Sequence, residues 1–514
     1  MFSGKAATLI ASDISFEEVF EKHRGIYSAL IGREQEMQQL QGYVTRMIQG
    51  RSSAVMISGE AGIGKSRLIW ELGQLAKKQG VRYLMGRCVP SSGMPYQPII
   101  ESVRQYFAHK GIYDINALNQ YINENAKHLK HRKDIVAMFV LRQSAKDLTI
   151  ISKEQLWDTA SEIIKAIAKD RPTVLHLDDL HWADVPSLDM LTYIMRTTTE
   201  DRVLIICTYR PEDVTEEKHP LRAMLKRKSK EVLFHEISLK RLDRRGTQNI
   251  ISSVFENSAF TDRFTDLIHK ETEGNPLFIL EVLKLLKDQN IIARHNIGWR
   301  LSGDAIKIRL PKTVSEVISR RLEKLNREER ELIDLAAVEG LSFQSDTLAH
   351  CLEQSRVKIL RCLQNLESSH NLIHATKQGY QFDHSKIKDV VYDNLIPELR
   401  KEYHKIIGKY LEDKYGDQDE YAGEIASHLL PTGEEQKSIP FLIKAGEYSA
   451  RFYVTSQAIQ YFDRAIEIIN RILEKSPHAD LEEMKLHTHK KRYEVNIFLS
   501  NYEDALVDTK TVLA

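Results

Sequence analysis

The sequence predicts an α/β core, a parallel sheet with helices on both faces, followed by a long region that is almost wholly helical. Between residues 28 and 240, short apolar runs rich in β-branched residues alternate with helical segments such as 66–78 and 154–169. Near-continuous apolar strands joined by helices are typical of a parallel sheet covered on both faces. A glycine-rich segment follows the first strand, and strand-like runs become rare after residue 240. The predicted strands are 54–59, 81–88, 173–180, 203–210 and 232–239.

The composition excludes several classes of protein. The chain has 514 residues, 42% of them hydrophobic and 28% charged, which is close to an average globular protein. Its four cysteines cannot form a disulfide framework and include no CxxC pair, so zinc or thiol redox chemistry is not indicated. A net charge of +1 gives no general attraction to nucleic acid or to a membrane surface. Because no run approaches the ~20 apolar residues of a membrane helix, we expect a soluble, cytoplasmic protein without a membrane partner.

The pattern divides the chain into five parts. Residues 241–295 read as helical throughout, and 311–395 contain short helices followed by a hairpin of 372–375 and 380–383, which is the layout of a winged helix. The predicted domains are a polar lead-in with one short amphipathic stretch (1–27), the α/β core (28–240), a helical domain (241–310), a winged helix (311–395) and a helical tail (396–514).

The tail carries the spacing of a tetratricopeptide-like helix pair. Its small and large positions are Leu442, Gly446, Ala458, Phe462 and Ala465, and Ala505 opens a second, partial match. We therefore expect a solenoid of helical hairpins, the alternative being a non-repetitive helical bundle. Because the last match stops inside its second helix without a terminal cap, we also expect the sequence to be a fragment of a longer protein.

The strongest motif is GEAGIGKS, which fits G-x-x-x-x-G-K-[ST] without a mismatch and lies between a predicted strand and a predicted helix. Its glycines let the loop wrap so that backbone N–H groups face a phosphate chain. The lysine supplies a positive charge for the β- and γ-phosphates, and the serine hydroxyl is a ligand for Mg²⁺. The sequence therefore predicts a P-loop that binds ATP or ADP with Mg²⁺. Its residues are Gly59, Glu60, Ala61, Gly62, Ile63, Gly64, Lys65, Ser66 and the following Arg67.

Acidic and basic residues follow two other predicted strands. The buried strand at 173–180 reaches Asp178 and Asp179, and we assign Asp178 to Mg²⁺ and Asp179 to a water molecule near the γ-phosphate. Another strand ends at Arg210, whose guanidinium is placed to read the γ-phosphate. The alternative for Arg210 is a surface arginine paired with Glu212 or Asp213.

Together with LIGREQEM (30–37) and EGNPLF (273–278), these motifs resemble the signal-transduction ATPases with numerous domains, the STAND branch of the AAA+ superfamily, and in particular its Orc1-like AAA ATPase module. The resemblance runs from about residue 28 to residue 395 and more loosely through the tail. It implies a P-loop NTPase core, a helical lid, a winged-helix arm opening at 310–325, and a segment at 382–412 that joins the arm to the repeats.

The resemblance also implies roles for single residues. Ile31, Gly32 and Arg33 resemble the box beside adenine and ribose, Pro276 the lid proline that touches the base, and Arg210 the sensor-1 arginine. Such proteins resemble switches in which ADP holds the modules shut. A signal ligand or protein partner sensed by the repeats then permits exchange to ATP and often homo-oligomerisation. The sequence contains no convincing arginine finger, since only their general position in the chain supports the candidates Arg196 and Arg202.

Two other functions stay open. The first is a DNA-binding initiator or transcription regulator that uses the winged helix. Its best recognition helix, 356–369, offers only Arg356, Lys358 and Arg361, and a basic segment at 218–230 is more typical of a solvated surface. The second is a non-catalytic scaffold that binds nucleotide permanently, against which Lys65, Ser66, Asp178 and Asp179 argue. We expect a slow, regulated ATPase switch instead.

Overall fold

The structure is a computed structural model of the chain. It describes residues 30–88, 96–141, 152–216, 219–227, 234–255, 260–295, 298–301, 313–370, 372–376, 379–383, 385–452, 454–499 and 501–513. The predicted lead-in (1–27) and parts of the basic segment at 218–230 lie outside these residues.

Five parallel strands form the sheet predicted for the core. They are β1 (Ser53–Ser58), β2 (Arg82–Arg87), β3 (Thr173–Asp178), β4 (Val203–Tyr209) and β5 (His235–Ser238). Their order across the sheet is β2-β3-β4-β1-β5. Because all five run the same way, their carboxyl ends share one edge, and the glycine-rich loop, Asp178 and Arg210 all lie there.

Helices cover both faces of this sheet. On β1, Val55 and Ile57 pack in one apolar cluster with the helices Glu34–Ile48 and Lys65–Lys78, whereas Ala54 and Met56 pack in a second cluster with helices on the other face. This alternation follows from the two-residue period of a strand. The α/β prediction is thereby confirmed. The helices of the core are α1 (Glu34–Ile48), α2 (Lys65–Lys78), α3 (Gln97–His109), α4 (Ile115–Asn125), α5 (Lys133–Leu141), α6 (Lys153–Asp170), α7 (Val185–Thr197) and α8 (Pro220–Arg227).

The next segment, which we call the lid, is formed by α9 (Arg244–Val254), α10 (Asp262–Thr272), α11 (Pro276–Asp288), β6 (Ile292–His295) and β7 (Gly298–Leu301). The expectation that 241–295 is helical throughout is wrong at its end, because β6 pairs antiparallel with β7. The hairpin has a packing reason. Ile292 is buried in the apolar cluster of the lid, and the Trp299 ring lies 5.0 Å from the Phe255 ring.

The segment that we call the arm combines short helices with a small three-stranded sheet. It consists of α12 (Val314–Leu322), α13 (Arg327–Glu339), β8 (Ser342–Phe343), α14 (Ser345–Cys351), α15 (Arg356–Ser368), β9 (Ile373–Thr376), β10 (Gly379–Phe382) and α16 (Ser385–Asp393). The central strand of its sheet is β10, which pairs antiparallel with both neighbours.

The tail is helical, as predicted. Gly446 is required where two helices cross, because a Cβ there would come within 2.4 Å of the Phe462 ring. Val454, between these helices, is fully buried in the apolar cluster that also contains Met56 and Leu175 of the core sheet. The tail therefore contacts the core directly. Its helices are α17 (Pro397–Tyr415), α18 (Ala422–Leu429), α19 (Glu435–Arg451), α20 (Thr455–Leu473), α21 (Ala479–Phe498) and α22 (Tyr502–Leu513). Among the described residues, no helix combines the length and apolarity needed to cross a membrane.

Candidate nucleotide-binding site

The glycine-rich loop joins β1 to α2 and has the backbone that a phosphate cradle requires. Gly62 and Gly64 have φ angles of +78° and +101°, in the left-handed region that favours glycine. A Cβ on Gly62 would also come within 2.7 Å of the Leu277 Cβ in the lid. Because the loop ends at the N-terminus of α2, free backbone N–H groups and the helix dipole both favour an anion there.

Lys65 is buried at the base of the loop. Its Nζ donates hydrogen bonds to the carbonyl oxygens of Gly59 (2.6 Å) and Glu60 (3.0 Å), which fixes the ammonium group against the loop. Burial, and then the nearby Arg210, lower the pKa of Lys65. A phosphate would relieve both effects by supplying negative charge. Ser66 is exposed, whereas Arg67 pairs with Glu71 at 2.6 Å and lies over the Trp70 ring.

The two predicted carboxylates sit at the end of β3 and share one partner on β4. The Thr208 hydroxyl donates to Asp178 Oδ1 and accepts from the Asp179 backbone N–H at 2.8 Å. Asp179 has a φ of +54°, a strained conformation for a residue with a side chain. The strand end is therefore built to direct the two neighbouring carboxylates differently. No sequence motif singles out Thr208, which lies in β4 two residues before Arg210.

The environment separates the two carboxylates electrostatically. Burial opposes ionisation of Asp178, but His176, Arg87 and the Thr208 hydrogen bond outweigh it and lower the pKa of Asp178. For Asp179, burial and then the Asp178 charge raise the pKa to about 6. Asp178 is thus held as an anion suited to a metal ion, and Asp179 is the weaker acid of the pair.

His181 and Trp182 follow this pair. The His181 ring is fully buried, with Nε2 3.3 Å from Asp213 Oδ2 and 3.9 Å from Asp179 Oδ1. Burial, followed by the charge of Arg210, lowers the pKa of His181 to about 3, so the ring is neutral. The neighbouring indole of Trp182 lies 5.2 Å from the His181 ring and is 46% exposed.

Two arginines flank the carboxylates, one from each neighbouring strand. Arg210, after β4, has its Nε 3.8 Å from Asp179 Oδ1 and donates a hydrogen bond of 2.9 Å to the Ser385 hydroxyl of the arm. Of the two alternative partners of Arg210, Glu212 accepts from the Ala61 backbone N–H (2.9 Å) and Asp213 faces His181 (3.3 Å), and the described residues show neither paired with Arg210. Arg87, which sequence analysis missed, ends β2 with its guanidinium 3.7 Å from Asp178 Oδ2.

The residues predicted beside the nucleotide base lie close to the glycine-rich loop. Arg33 is buried and donates to the carbonyl oxygens of Ile63 (3.2 Å) and Lys240 (2.6 Å), so it braces the loop against the segment that follows β5. Gly32 has a φ of +66° and lies against Leu242. Ile31 packs in the apolar cluster of the lid, and Pro276 begins α11.

The lid is attached to the loop by polar contacts. The Leu277 N–H donates to the Gly62 carbonyl (3.2 Å), and the Asn275 side chain donates to the Ala61 carbonyl (3.1 Å). Arg241 bridges the carboxylates of Glu60 in the loop and Glu273 in the lid. These contacts hold the lid on the loop itself.

A cavity of about 290 Å³ lies between core, lid and arm. The arm closes one side with Gln381, Asp383 and Ser385. The cavity has an apolar wall, suited to a base, and a charged wall, suited to phosphates. The apolar wall is formed by Leu30, Ile31, Leu242, Ile250, Pro276, Leu277 and Leu280, and the charged wall by Lys65, Ser66, Arg87, Asp178, Asp179 and Arg210.

The donors also suit Mg²⁺. This ion usually binds one or two carboxylates together with phosphate oxygens of its substrate. Asp178 and the exposed Ser66 hydroxyl both face the cavity as hard oxygen donors. Within the described residues, no group of three or more histidines, cysteines or acidic residues could hold a metal ion alone. The residues fit Mg²⁺ that binds together with a nucleotide.

A glycine-rich loop before a helix, with a carboxylate pair and an arginine on adjacent strands, defines a P-loop fold. Residues 29–206 match the family described as AAA ATPase domain, in agreement with the sequence resemblance. Residues 251–297 match a domain of unknown function.

Individual proteins are similar to this chain over different extents. A protein from Rhizobium meliloti described as uncharacterized is 23% identical over 480 residues, which cover 87% of this chain and 43% of that protein. The crystal structure of a STAND protein with a tetratricopeptide repeat sensor from Pyrococcus horikoshii is 14% identical, with a TM-score of 0.49, covering 98% of this chain and 65% of that one. The Orc1 protein of Aeropyrum pernix in complex with DNA is 12% identical, with a TM-score of 0.32, covering 74% and 96%. The chain thus spans less than two thirds of the first two proteins.

Proposed function

We propose that this protein is a nucleotide-gated molecular switch that binds ATP and ADP with Mg²⁺ and hydrolyses ATP slowly. The observation that carries the proposal is the composition of the cavity wall. Core, lid and arm each contribute residues to one cavity, and Arg210 donates directly to Ser385 of the arm. A nucleotide bound in this cavity would contact the core, the lid and the arm, and these are the parts whose arrangement it would control.

The roles follow from the positions of the side chains. The P-loop N–H groups and Lys65 bind the β- and γ-phosphates, and Ser66 and Asp178 would hold Mg²⁺, which neutralises phosphate charge. Asp179 orients the attacking water. The water oxygen bonds to the γ-phosphorus while the bond from that phosphorus to the β–γ bridging oxygen breaks. The electron pair stays on ADP, and the proton of the water passes through Asp179 to solvent.

Arg210 supplies the coupling. Its guanidinium lies between the carboxylate Asp179 and the neutral hydroxyl of Ser385. A γ-phosphate is a stronger partner for a guanidinium than a hydroxyl, because its oxygens are charged and can accept two parallel N–H bonds from the planar fork. ATP would therefore draw Arg210 away from the arm, whereas ADP leaves the contact in place. Hydrolysis resets the switch.

The tail completes the proposal as the part that receives the signal. The buried Val454 ties the tail to the core, so a ligand or protein partner bound to the helical repeats could loosen this contact. Release of the tail would permit nucleotide exchange in the cytoplasm and nucleotide-dependent homo-oligomerisation. The helix proposed to read DNA is less suitable, since Arg356 pairs with Asp346 and Lys358 with Glu328.

The test is the nucleotide content of the purified chain, followed by exchange and single-turnover hydrolysis rates. We expect bound ADP and slow exchange in the wild type. Asp179→Asn should retain nucleotide and lose turnover about 100-fold or more, in the range of other catalytic groups. Ser385→Ala should speed ADP release about threefold, whereas Ser368→Ala, an exposed hydroxyl bonded within α15, should leave it unchanged. Fast, unregulated turnover would contradict the switch, and a protein that binds no nucleotide would refute the proposal altogether.

A further inference from the structure

We propose that Arg87 is a catalytic residue that contacts the γ-phosphate of bound ATP and stabilises the transition state from within the same chain. The inference rests on the proposed ATPase function and adds a residue to it. The role is that of an arginine finger, which neither Arg196 nor Arg202 can fill. Arg202 precedes β4 at the far edge of the sheet, where its guanidinium donates to the Lys169 carbonyl (2.6 Å), and Arg196 is an exposed residue in the last turn of α7.

The sheet order places Arg87 on the correct edge and beside the correct strand. Arg87 is the last residue of β2 and pairs in register with Asp178, the last residue of β3. Since β3 lies between β2 and β4, Arg87 and Arg210 flank the carboxylate pair from opposite sides. Adjacent strands are about 4.8 Å apart, so an arginine on β2 reaches the space in front of Asp178 without a change of backbone.

The contacts of Arg87 leave capacity for a ligand. The Arg87 backbone N–H donates to Glu101 (2.9 Å), which anchors the end of the strand. The guanidinium lies 3.7 Å from Asp178 Oδ2, and its buried Nε has no hydrogen-bond partner within the described part of the chain. A buried N–H without a partner is costly, so this guanidinium has donor capacity for an acceptor that enters the cavity.

Two other arginines of the cavity wall have protein partners: Arg33 donates to two backbone carbonyls, and Arg67 pairs with Glu71. Lys65 and Arg210 contact the phosphates in the proposed function, and Arg87 would join them from the opposite side of Asp178. A divalent cation on Asp178 would weaken the attraction of that carboxylate for the Arg87 guanidinium, and the two positive charges would repel. A γ-phosphate bound in the cavity would then offer Arg87 a strong acceptor, whose oxygens the planar fork of a guanidinium matches.

In the hydrolysis step described above, Arg87 forms and breaks no covalent bond. It donates N–H groups to the equatorial oxygens of the γ-phosphate as the bond to ADP lengthens. An arginine supplied to this position from the same chain or a partner is worth about 10³–10⁵ in rate in other phosphoryl-transfer enzymes. Arg87 contributes less to the binding of ADP, which lacks the γ-phosphate.

The experiment compares full-length Arg87→Gln with wild type in three measurements. These are single-turnover hydrolysis of Mg·ATP, the Kd of a fluorescent ADP, and trapping of ADP with Mg²⁺ and aluminium fluoride, which mimics the transferred phosphoryl group. We expect hydrolysis to fall about 100-fold or more, little or no aluminium fluoride trapping, and a Kd for ADP within about threefold of wild type. Arg87→Lys keeps the charge without the fork and should lose about tenfold in rate.

Chemical rescue separates a catalytic from a structural role. A low, non-denaturing concentration of guanidinium should restore part of the turnover of Arg87→Ala, whereas an equal concentration of sodium chloride should not. The matched control is Arg82→Gln at the other end of β2, where Arg82 pairs with Asp170 (2.6 Å) outside the cavity. Its turnover should stay within about twofold of wild type.

Several results would overturn the inference. Turnover of Arg87→Gln within about twofold of wild type would do so, as would equal losses in ADP affinity and turnover, or an absence of guanidinium rescue. The Lys65→Ala variant distinguishes failure of the proposed function itself. If Lys65→Ala hydrolyses ATP as fast as wild type, the activity does not come from this cavity, and both proposals fall.

Discussion

The lid and the arm close the same cavity by different means. The lid donates to the P-loop backbone, through the Leu277 N–H and the Asn275 side chain, and these contacts use carbonyl oxygens of the loop rather than the N–H groups assigned to the phosphates. The arm reaches the core through Arg210, which also faces Asp179. The tail adds the buried, apolar contact of Val454.

We interpret this difference as two roles: the lid holds the nucleotide, and the arm senses whether a γ-phosphate is present. A lid that binds the loop itself keeps the same partners whichever nucleotide is present. An arm that shares its partner with the γ-phosphate changes its contact when that phosphate arrives. We therefore expect the lid to control how tightly any nucleotide is held, and the arm and tail to control when it leaves. Two substitutions test this division, and a third tests the stability of the arm.

The largest effect is expected when the tail is detached from the core. In Val454→Asp, a carboxylate replaces a fully buried apolar side chain, and burial of an unpaired charge is costly enough to expel it. We predict ADP release faster by about tenfold or more, measured with a fluorescent ADP, with the secondary structure retained by circular dichroism. Val507→Asp is the matched control, because Val507 on α22 is 56% exposed. Unchanged release from Val454→Asp would mean that the tail does not restrain the nucleotide.

A smaller effect is expected at the lid. Asn275 both caps α11 through its Oδ1 and donates from Nδ2 to the Ala61 carbonyl. Asn275→Asp preserves the cap, removes the donor and adds a charge beside Glu60. We predict that ADP and ATP both dissociate about fivefold faster, because the lid does not distinguish them.

The control for the lid variant is Asn326→Asp, which changes the N-cap of α13, where Oδ1 accepts from the Glu329 N–H (2.9 Å) away from the cavity. An effect of Asn275→Asp on ATP but not on ADP would show that the lid, too, senses the γ-phosphate.

The smallest effect concerns the stability of the arm. Burial raises the pKa of Glu339 to about 8, so the folded arm prefers this carboxyl protonated. The free energy of unfolding that the protonated Glu339 contributes is fully present below the ordinary pKa of about 4.5 and is lost as pH rises through 8. Glu339→Gln stays neutral and can still accept from the Gln344 N–H.

We predict that Glu339→Gln raises the thermal midpoint of unfolding relative to wild type, and more at pH 8 than at pH 6. Glu331→Gln, an exposed position on the same helix, should show no such dependence. An equal shift of Glu339→Gln at both pH values would contradict the raised pKa.

The sequence predicted those parts of the fold and candidate site that depend on local pattern. The P-loop needs its glycines and Lys65 at fixed spacing, and the strand before Asp178 is apolar throughout, so both are visible in the printed chain. Ile292, by contrast, belongs to a hairpin that exists because Trp299 packs on the lid helices, a tertiary effect without a local signal.

The missed residues share a physical reason. Arg87 and Thr208 matter because β2 and β4 lie on either side of β3, and sheet order is not encoded near either residue. Ser385 lies 175 positions from Arg210 along the chain. Contacts of this kind follow from how domains pack, and only the charge and polarity of the side chains can be read beforehand.

The exposed indole of Trp182 gives the molecule an intrinsic optical reporter. Of the four tryptophans, Trp182 adjoins the ring of His181, close to the carboxylates of Asp178 and Asp179, and Trp70 lies under the guanidinium of Arg67 beside the P-loop. Their emission should respond to the arrival and departure of phosphate charge, so nucleotide exchange can be followed in real time with unlabelled ATP and ADP. Trp182→Phe would assign the signal to one of the two fluorophores.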